Sequence, residues 1–394
     1  GGRRALLEKV WEVPAEGNII DGPLALADGL FYAVKEGVVR SLSPDDGHTL
    51  WRHRFDREIS LAPTGLAGRL FVVVGDGLSA LHMGGGSTLW STSLPSPPLF
   101  SPLPTGPRLV VLMKGGRLLT LDQVSGSPLW NMNLPCEPSS PPGGDGNLLV
   151  IGCSQGDVLG IESAGGRLLW KRRTSGRIRA QPIIHDHRIV LGNDAGQIIA
   201  LGTRHGHRKY TAHVAADPVT PLLDHGRLVL VGALDNLLYG FLRRTGHLRW
   251  KVDLQARALA APALKETVAV NAPPLSSGMV VVDTRDGAVL ARRPLPGEGR
   301  ISAAGPVFAG SVLVLSSRPA GGGPGWLTGL SLEVQILAKP PEMVSLSRPG
   351  SSRVRLALLR PAVPHHPDAP DGVSPPACGS STTAANGAAP ESSG

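Results

Sequence analysis

Cysteine is scarce in this chain: 394 residues hold only Cys136, Cys153 and Cys378. That is too few for the disulfide framework that staples small secreted domains. A Cys136–Cys153 bridge is geometrically open, but Cys153 ends an apolar run and is read as a small buried filler instead. Long hydrophobic runs are missing too. No apolar stretch reaches the roughly 18 residues needed to cross a membrane as a helix. Outside residues 336–394, no segment carries a helical hydrophobic period, which leaves β structure. The glycine-rich pieces GGDG (143–146) and MGGGS (83–87) are not followed by a helix. A phosphate-binding loop therefore has no context in either place. Aromatics make up 4% of the chain, and their positions carry more information than their number.

Glycine and proline are plentiful, at 51 and 36 residues, as a turn-dense chain requires. The glycines fall into a period. Gly47, Gly86, Gly126, Gly166, Gly206, Gly246 and Gly287 each precede by four residues one member of the series Trp51, Trp90, Trp130, Trp170, Tyr210, Trp250 and Ala291. Trp11 extends the series backwards in phase. A spacing of roughly 40 residues marks a repeat architecture. A second series in register, from Pro23 and Pro63 to Pro262 and Pro306, precedes short apolar runs such as LFYAV (30–34), LFVVV (70–74) and LVVLM (109–113). Runs this short, β-branched and bounded by turn residues read as buried strands.

Each unit therefore holds four strands, the size of a β-propeller blade. Trp11, Trp51, Trp90, Trp130, Trp170, Tyr210 and Trp250 are expected to dock between neighbouring blades, where a large ring buries the most area. Ala291 cannot do this, so the seventh interface should be looser or filled from elsewhere. The eighth unit, SVLVLSS (311–317) and WLTGLSLEV (326–334), stops after its third strand. The N-terminal segment KVWEVPA (9–15) is expected to supply its fourth and remove the free edges. The fold class is thus all-β, an eight-bladed propeller of four-stranded blades over residues 1–335, closed by the N-terminal strand. Residues 336–394, rich in Pro, Ser, Ala and Gly, are expected to form a disordered tail. His365 and His366 in this tail are two adjacent histidines without further ligands and do not close a metal site.

The repeat resembles the tryptophan-docking repeat of the pyrroloquinoline-quinone (PQQ) family of propellers; GRLLTLDQVSGSPLW (116–130) and GDVLGIESAGGRLLW (156–170) are its clearest copies. Eight units with almost nothing inserted most resemble the non-enzymatic branch, the BamB-like outer-membrane β-barrel assembly lipoproteins. The resemblance covers everything but the tail. Quinone dehydrogenases of this superfamily are larger and hold cofactor and calcium at the ring centre, commonly against a disulfide of adjacent cysteines. No adjacent cysteines and no long insertions occur here, so neither catalysis nor bound PQQ is expected. Asp122, Glu162 and Asp283 share one repeat position whose other copies are Ser43, Gly202 and Leu242. They are read as turn acceptors rather than an acid–base pair. His185 and His187 are read as a solvated turn.

The formal charge is +8, with basic residues bunched at 171–173, Arg177, Arg179, 204–210 and 243–244. Such a surface suits nucleic acid, anionic lipid or an acidic partner. Nucleic acid is set aside, because no free aromatics interleave with the charges. The resemblance implies a partner surface on the linkers between blades. TSGRIRAQP (174–182) and AHVAADPVTP (212–221) are those linkers, and Arg177, Ile178, Arg179 and Asp217 are the candidate contacts. The expected function is a monomeric, non-catalytic scaffold that binds a protein partner, an outer-membrane assembly component among those implied, with only peripheral membrane contact. The alternative is a ligand-sensing or accessory propeller module detached from a larger enzyme. Residues 1–8 carry no secretory signal core. A truncated N-terminus is expected, with the cell envelope as compartment if a signal was lost and the cytoplasm otherwise.

Overall fold

Eight antiparallel sheets follow one another along the chain in a computed structural model that describes residues 2–337. In the first blade the strands are Leu24–Leu26, Gly29–Val34, Val38–Leu42 and Thr49–Arg54, paired in sequence order. The next six blades repeat this order at 64–93, 103–133, 143–173, 183–213, 223–253 and 263–294. Neighbouring first strands touch one another around the centre of a ring. The middle strands are apolar throughout because each blade is covered on both faces; Leu30, Phe31, Tyr32, Ala33 and Val34 are all buried. Fourth strands such as Thr88–Ser93 alternate between half-buried and exposed residues, as an outer strand with one wet face should.

The eighth blade closes the ring with both chain ends. Strand Arg3–Pro14 pairs antiparallel with Trp326–Ile336, from Arg3 opposite Ile336 to Pro14 opposite Trp326. This blade has one strand more than expected. Its inner edge is split into Arg300–Ser302 and Val307–Ala309, both paired to the long strand Val312–Pro319. Expectations for the tail lie, from residue 338 on, outside the described residues.

The aromatic series docks as expected. Trp11, Trp51, Trp90, Trp130, Trp170 and Trp250 each donate the indole N–H to a carbonyl of the following blade: Pro44, Met83, Gln123, Ser163, Thr203 and Thr284, at 2.6 to 3.1 Å. The receiving turn needs glycine for two reasons. Gly47, Gly86, Gly126, Gly166, Gly206, Gly246 and Gly287 all have φ between 64° and 76°, the left-handed region. A Cβ on any of them would also lie closer than 3.0 Å to the ring docked over it. Tyr210 takes the same place over Gly246, but its hydroxyl is buried without a partner.

The seventh interface is filled differently. Each docking ring faces a small residue across the sheet, such as Ala80, Thr120, Gly160, Ala200 or Gly329; opposite Ala291 stands Val281. Ala291, Leu7, Leu290 and Leu332 then pack in one cluster across the seam. In the eighth blade the third and fourth strands come from opposite chain ends, so no glycine turn joins them to receive a ring. Arg3 instead reaches back to the fully buried Asp283 and to Asp286.

Cys136 and Cys153 form a disulfide, with Cα atoms 6.0 Å apart, which corrects the expectation of a lone buried filler. Cys153 is indeed fully buried. The sequence reading missed that the linker after the third blade folds back over the end of this strand, where Pro138 bridges Cys153.

Candidate functional site

Antiparallel order sorts the connections to the two ends of the ring. Linkers between blades share one end with the hairpins joining second and third strands. The other end carries the first-to-second and third-to-fourth turns. Five linkers are pinned at their midpoints by isolated bridges: Ile19–Val34, Ile59–Val74, Pro98–Met113, Pro138–Cys153 and Ile178–Asn193. These five linkers are held against their neighbouring strands rather than left as free loops.

Three of the four candidate contacts reach that surface. Arg177 is exposed, and its backbone N–H donates to the Asp194 carboxylate at 3.0 Å. Arg179 Nε donates to Asp217 Oδ2 at 3.0 Å and so ties two successive linkers together. Ile178 is a correction: it is fully buried against Trp170 and Leu191 and is part of the core rather than a contact. Val214 is buried too. The backbone turns its bridge residue inward to make the Ile178–Asn193 pairing, and Ile59, Pro98 and Pro138 are buried at the same position, with Ile19 half-buried. Pro218 and Ala258 are the next two copies, and both are buried.

Counting back from strand starts extends the series to the next linker. Arg177, Asp217 and Arg257 stand in equivalent places on three adjacent linkers, and so do Arg179, Val219 and Leu259. Leu259 is 42% exposed and Leu275, in the neighbouring hairpin, 62%. They are exposed apolar side chains at the linker end, which Ile178 is not. The 40-residue offset would have located Leu259. Nothing local marks Leu275.

At the ring centre on the linker end lies a cavity of about 350 Å³, to which residues of five blades contribute, among them Asp21, Thr64, Phe100, Ser101 and Gln181. PQQ carries three carboxylates and would need cationic partners. The lining has one carboxylate, Asp21, and no Lys or Arg. These residues do not fit that cofactor. Among the described residues, no group of three or more His, Cys, Asp or Glu side chains could hold a metal ion.

The acidic repeat positions behave as turn acceptors. Asp122 Oδ1 accepts from the Val124 and Ser125 N–H groups at 3.0 and 2.7 Å, and Asp283 Oδ1 from the Arg285 N–H at 2.9 Å. The hydrogen bonds from Ser125 hold the Asp122 carboxyl below its usual value. Glu162 instead accepts from the Arg167 guanidinium at 3.1 Å. His185 is not simply solvated: its Nδ1 lies 2.6 Å from Asp224, which also binds Arg243. His187 is exposed in the turn. Of the basic cluster, Lys171 and Arg173 pair with the buried Asp157 at 2.9 and 3.1 Å. Burial alone would raise the Asp157 pKa, but these two cations outweigh it and hold the carboxyl low.

A family model described as outer membrane protein assembly factor BamB matches residues 35–251 and 182–321. No curated protein sequence matches the chain. Among solved structures, BamB from Moraxella catarrhalis is 18% identical, with 83% of this chain and 100% of that chain covered and a TM-score of 0.66. A computationally designed protein is 17% identical over 81% of this chain and 99% of its own, also at 0.66. A quinohemoprotein alcohol dehydrogenase from Pseudomonas putida HK5 is 12% identical, with 85% and 78% covered and a TM-score of 0.61. At such identities structural likeness speaks for the propeller fold alone, and the similar structures include both BamB and an alcohol dehydrogenase. The matched family model covers most of the ring, and the chain belongs to the BamB family of PQQ-like β-propellers.

Proposed function

We propose that this propeller is a non-catalytic scaffold that binds a protein partner through its linker end, in the manner the family description implies for outer-membrane protein assembly. The observation that carries the reading is the run of three successive linkers at one end of the ring: the first is pinned by the Ile178–Asn193 bridge and tied to the second by the Arg179–Asp217 pair, and they carry the exposed Arg177 and Leu259. Exposed apolar and charged side chains on one face are the composition of a protein contact. Pre-ordering the linkers lowers the entropy lost on binding. The absence of catalysis is part of the proposal. Its support is that the repeat-position carboxylates are occupied in their own turns and that the ring-centre lining does not suit PQQ.

The test is a pull-down from a bacterial envelope extract with the wild-type chain and with Arg177→Glu/Leu259→Asp. Both residues are exposed, so the variant should melt within about 0.5 kcal/mol of wild type. Reversing a charge and planting another at the apolar contact should abolish capture of an outer-membrane assembly protein. Equal recovery by both proteins would remove these residues from the contact. Recovery by neither would favour the ligand-sensing reading, for which the ring-centre cavity is the place to look.

A further inference from the structure

The end of the ring opposite the linkers carries the basic segments 204–208 and 243–249. Between the sixth and seventh blades this end opens into a cleft of about 480 Å³. Leu228 and Leu242, partners across two strands, form its apolar floor. Arg227, Arg249 and Arg285 line it, with Glu266 beside them. Arg285 forks onto Asp283 at 3.0 and 2.8 Å, and Arg3 binds the same carboxylate. Arg227 and Arg249 are exposed and form no ion pair among the described residues. The wall is held by the docking contact itself: Thr284 accepts the Trp250 indole N–H through its carbonyl, and its hydroxyl meets His225 Nε2 at 3.1 Å.

Two guanidiniums without partners beside recessed leucines define a ligand with carboxylates and an aliphatic group. The planar guanidinium fork matches a carboxylate in two parallel hydrogen bonds. Single-stranded nucleic acid would need exposed aromatic faces for its bases. The nearby rings, Tyr210 and Trp250, are consumed by docking. Leu228 is 8% exposed at the bottom of the concavity, out of reach of a flat membrane surface but not of a single extended side chain. Glu266 opposes a polyphosphate and can accept a peptide N–H.

We propose that this cleft binds an acidic, extended peptide segment of a partner protein. Carboxylates lie on Arg227 and Arg249, and one aliphatic side chain covers Leu228 and Leu242. The site lies at the opposite end from the linkers and stands independently of the scaffold reading.

The probe is a fluorescein-labelled nonapeptide of Asp and Glu with one central leucine, titrated with the full chain and read by fluorescence anisotropy. Saturable binding is expected. Arg227→Ala/Arg249→Ala should weaken it at least about tenfold, since each charge-assisted hydrogen bond contributes that much or more. Replacing the central leucine by glycine should weaken it by a similar factor through the lost apolar burial. The linker variant Arg177→Glu should bind as wild type does. Unchanged affinity in the double variant, or equal affinity for the glycine peptide, would overturn the site. An oligothymidylate or a phosphatidylserine vesicle bound as tightly through the same arginines would overturn the peptide as its ligand.

Discussion

Replacing Tyr210 by tryptophan should stabilise the ring. Six other interfaces close with an indole N–H on the carbonyl that lies 32 to 34 residues further on. The equivalent carbonyl here is that of Arg243. Tyrosine cannot reach it as a donor, and its hydroxyl is left buried with no partner. A buried unpartnered polar group costs about 1–3 kcal/mol, and a new hydrogen bond contributes about 0.5–1.5. The larger ring has room: Gly246 already lies under the tyrosine, and Ala200 is the small residue opposite. Overpacking of a ready-shaped site should take back no more than about 1 kcal/mol. The net gain is about 1–2 kcal/mol, or roughly 2 °C in Tm per kcal/mol for a domain this large. Urea unfolding and thermal melts of wild type, Tyr210→Trp and Tyr210→Phe measure it. Tyr210→Phe removes only the unpartnered hydroxyl and should recover the larger part, the indole hydrogen bond adding the rest. A Tyr210→Trp protein less stable than Tyr210→Phe would refute the claim that the missing indole hydrogen bond is what this interface lacks.

Two further outcomes follow from the same contacts. Deleting residues 2–14 strips the partner from strand Trp326–Ile336 and removes Trp11, which is 7% exposed; losing such a ring costs about 3–5 kcal/mol, and the freed edge should aggregate, so an unchanged Tm and soluble yield would contradict closure by both chain ends. The three tyrosines should resist ionisation: burial pushes Tyr210 and Tyr239 up to about 12 and raises Tyr32 as well. Because the folded values lie above the unfolded one, the unfolded chain loses its protons first and stability falls from about pH 10 towards 12; tyrosinate absorbance at 295 nm in the native protein at pH 10 would contradict this.

What the chain wrote locally, it wrote plainly. A strand needs only a few apolar residues in a row, a tight turn needs only its glycine, and a docking ring recurs at the same offset. Fold, blade number, closure and the docking residues were therefore legible without coordinates. Other properties depended on pieces distant in sequence. Cys136 and Cys153 pair because a linker doubles back over a strand end, and no spacing rule contains that fold-back. Ile178 faces inward where its backbone bridges Asn193, and Leu259 rather than Ile178 is the exposed apolar side chain. The basic residues look like one cluster in sequence, yet alternating strand direction sends Arg177 and Arg179 to one end of the ring and 204–208 and 243–249 to the other. Composition sums charge over the chain, whereas recognition depends on which side chains share a surface. Only the tertiary structure sorts them, because antiparallel pairing reverses the chain every few residues and places neighbours in sequence at opposite ends of a blade.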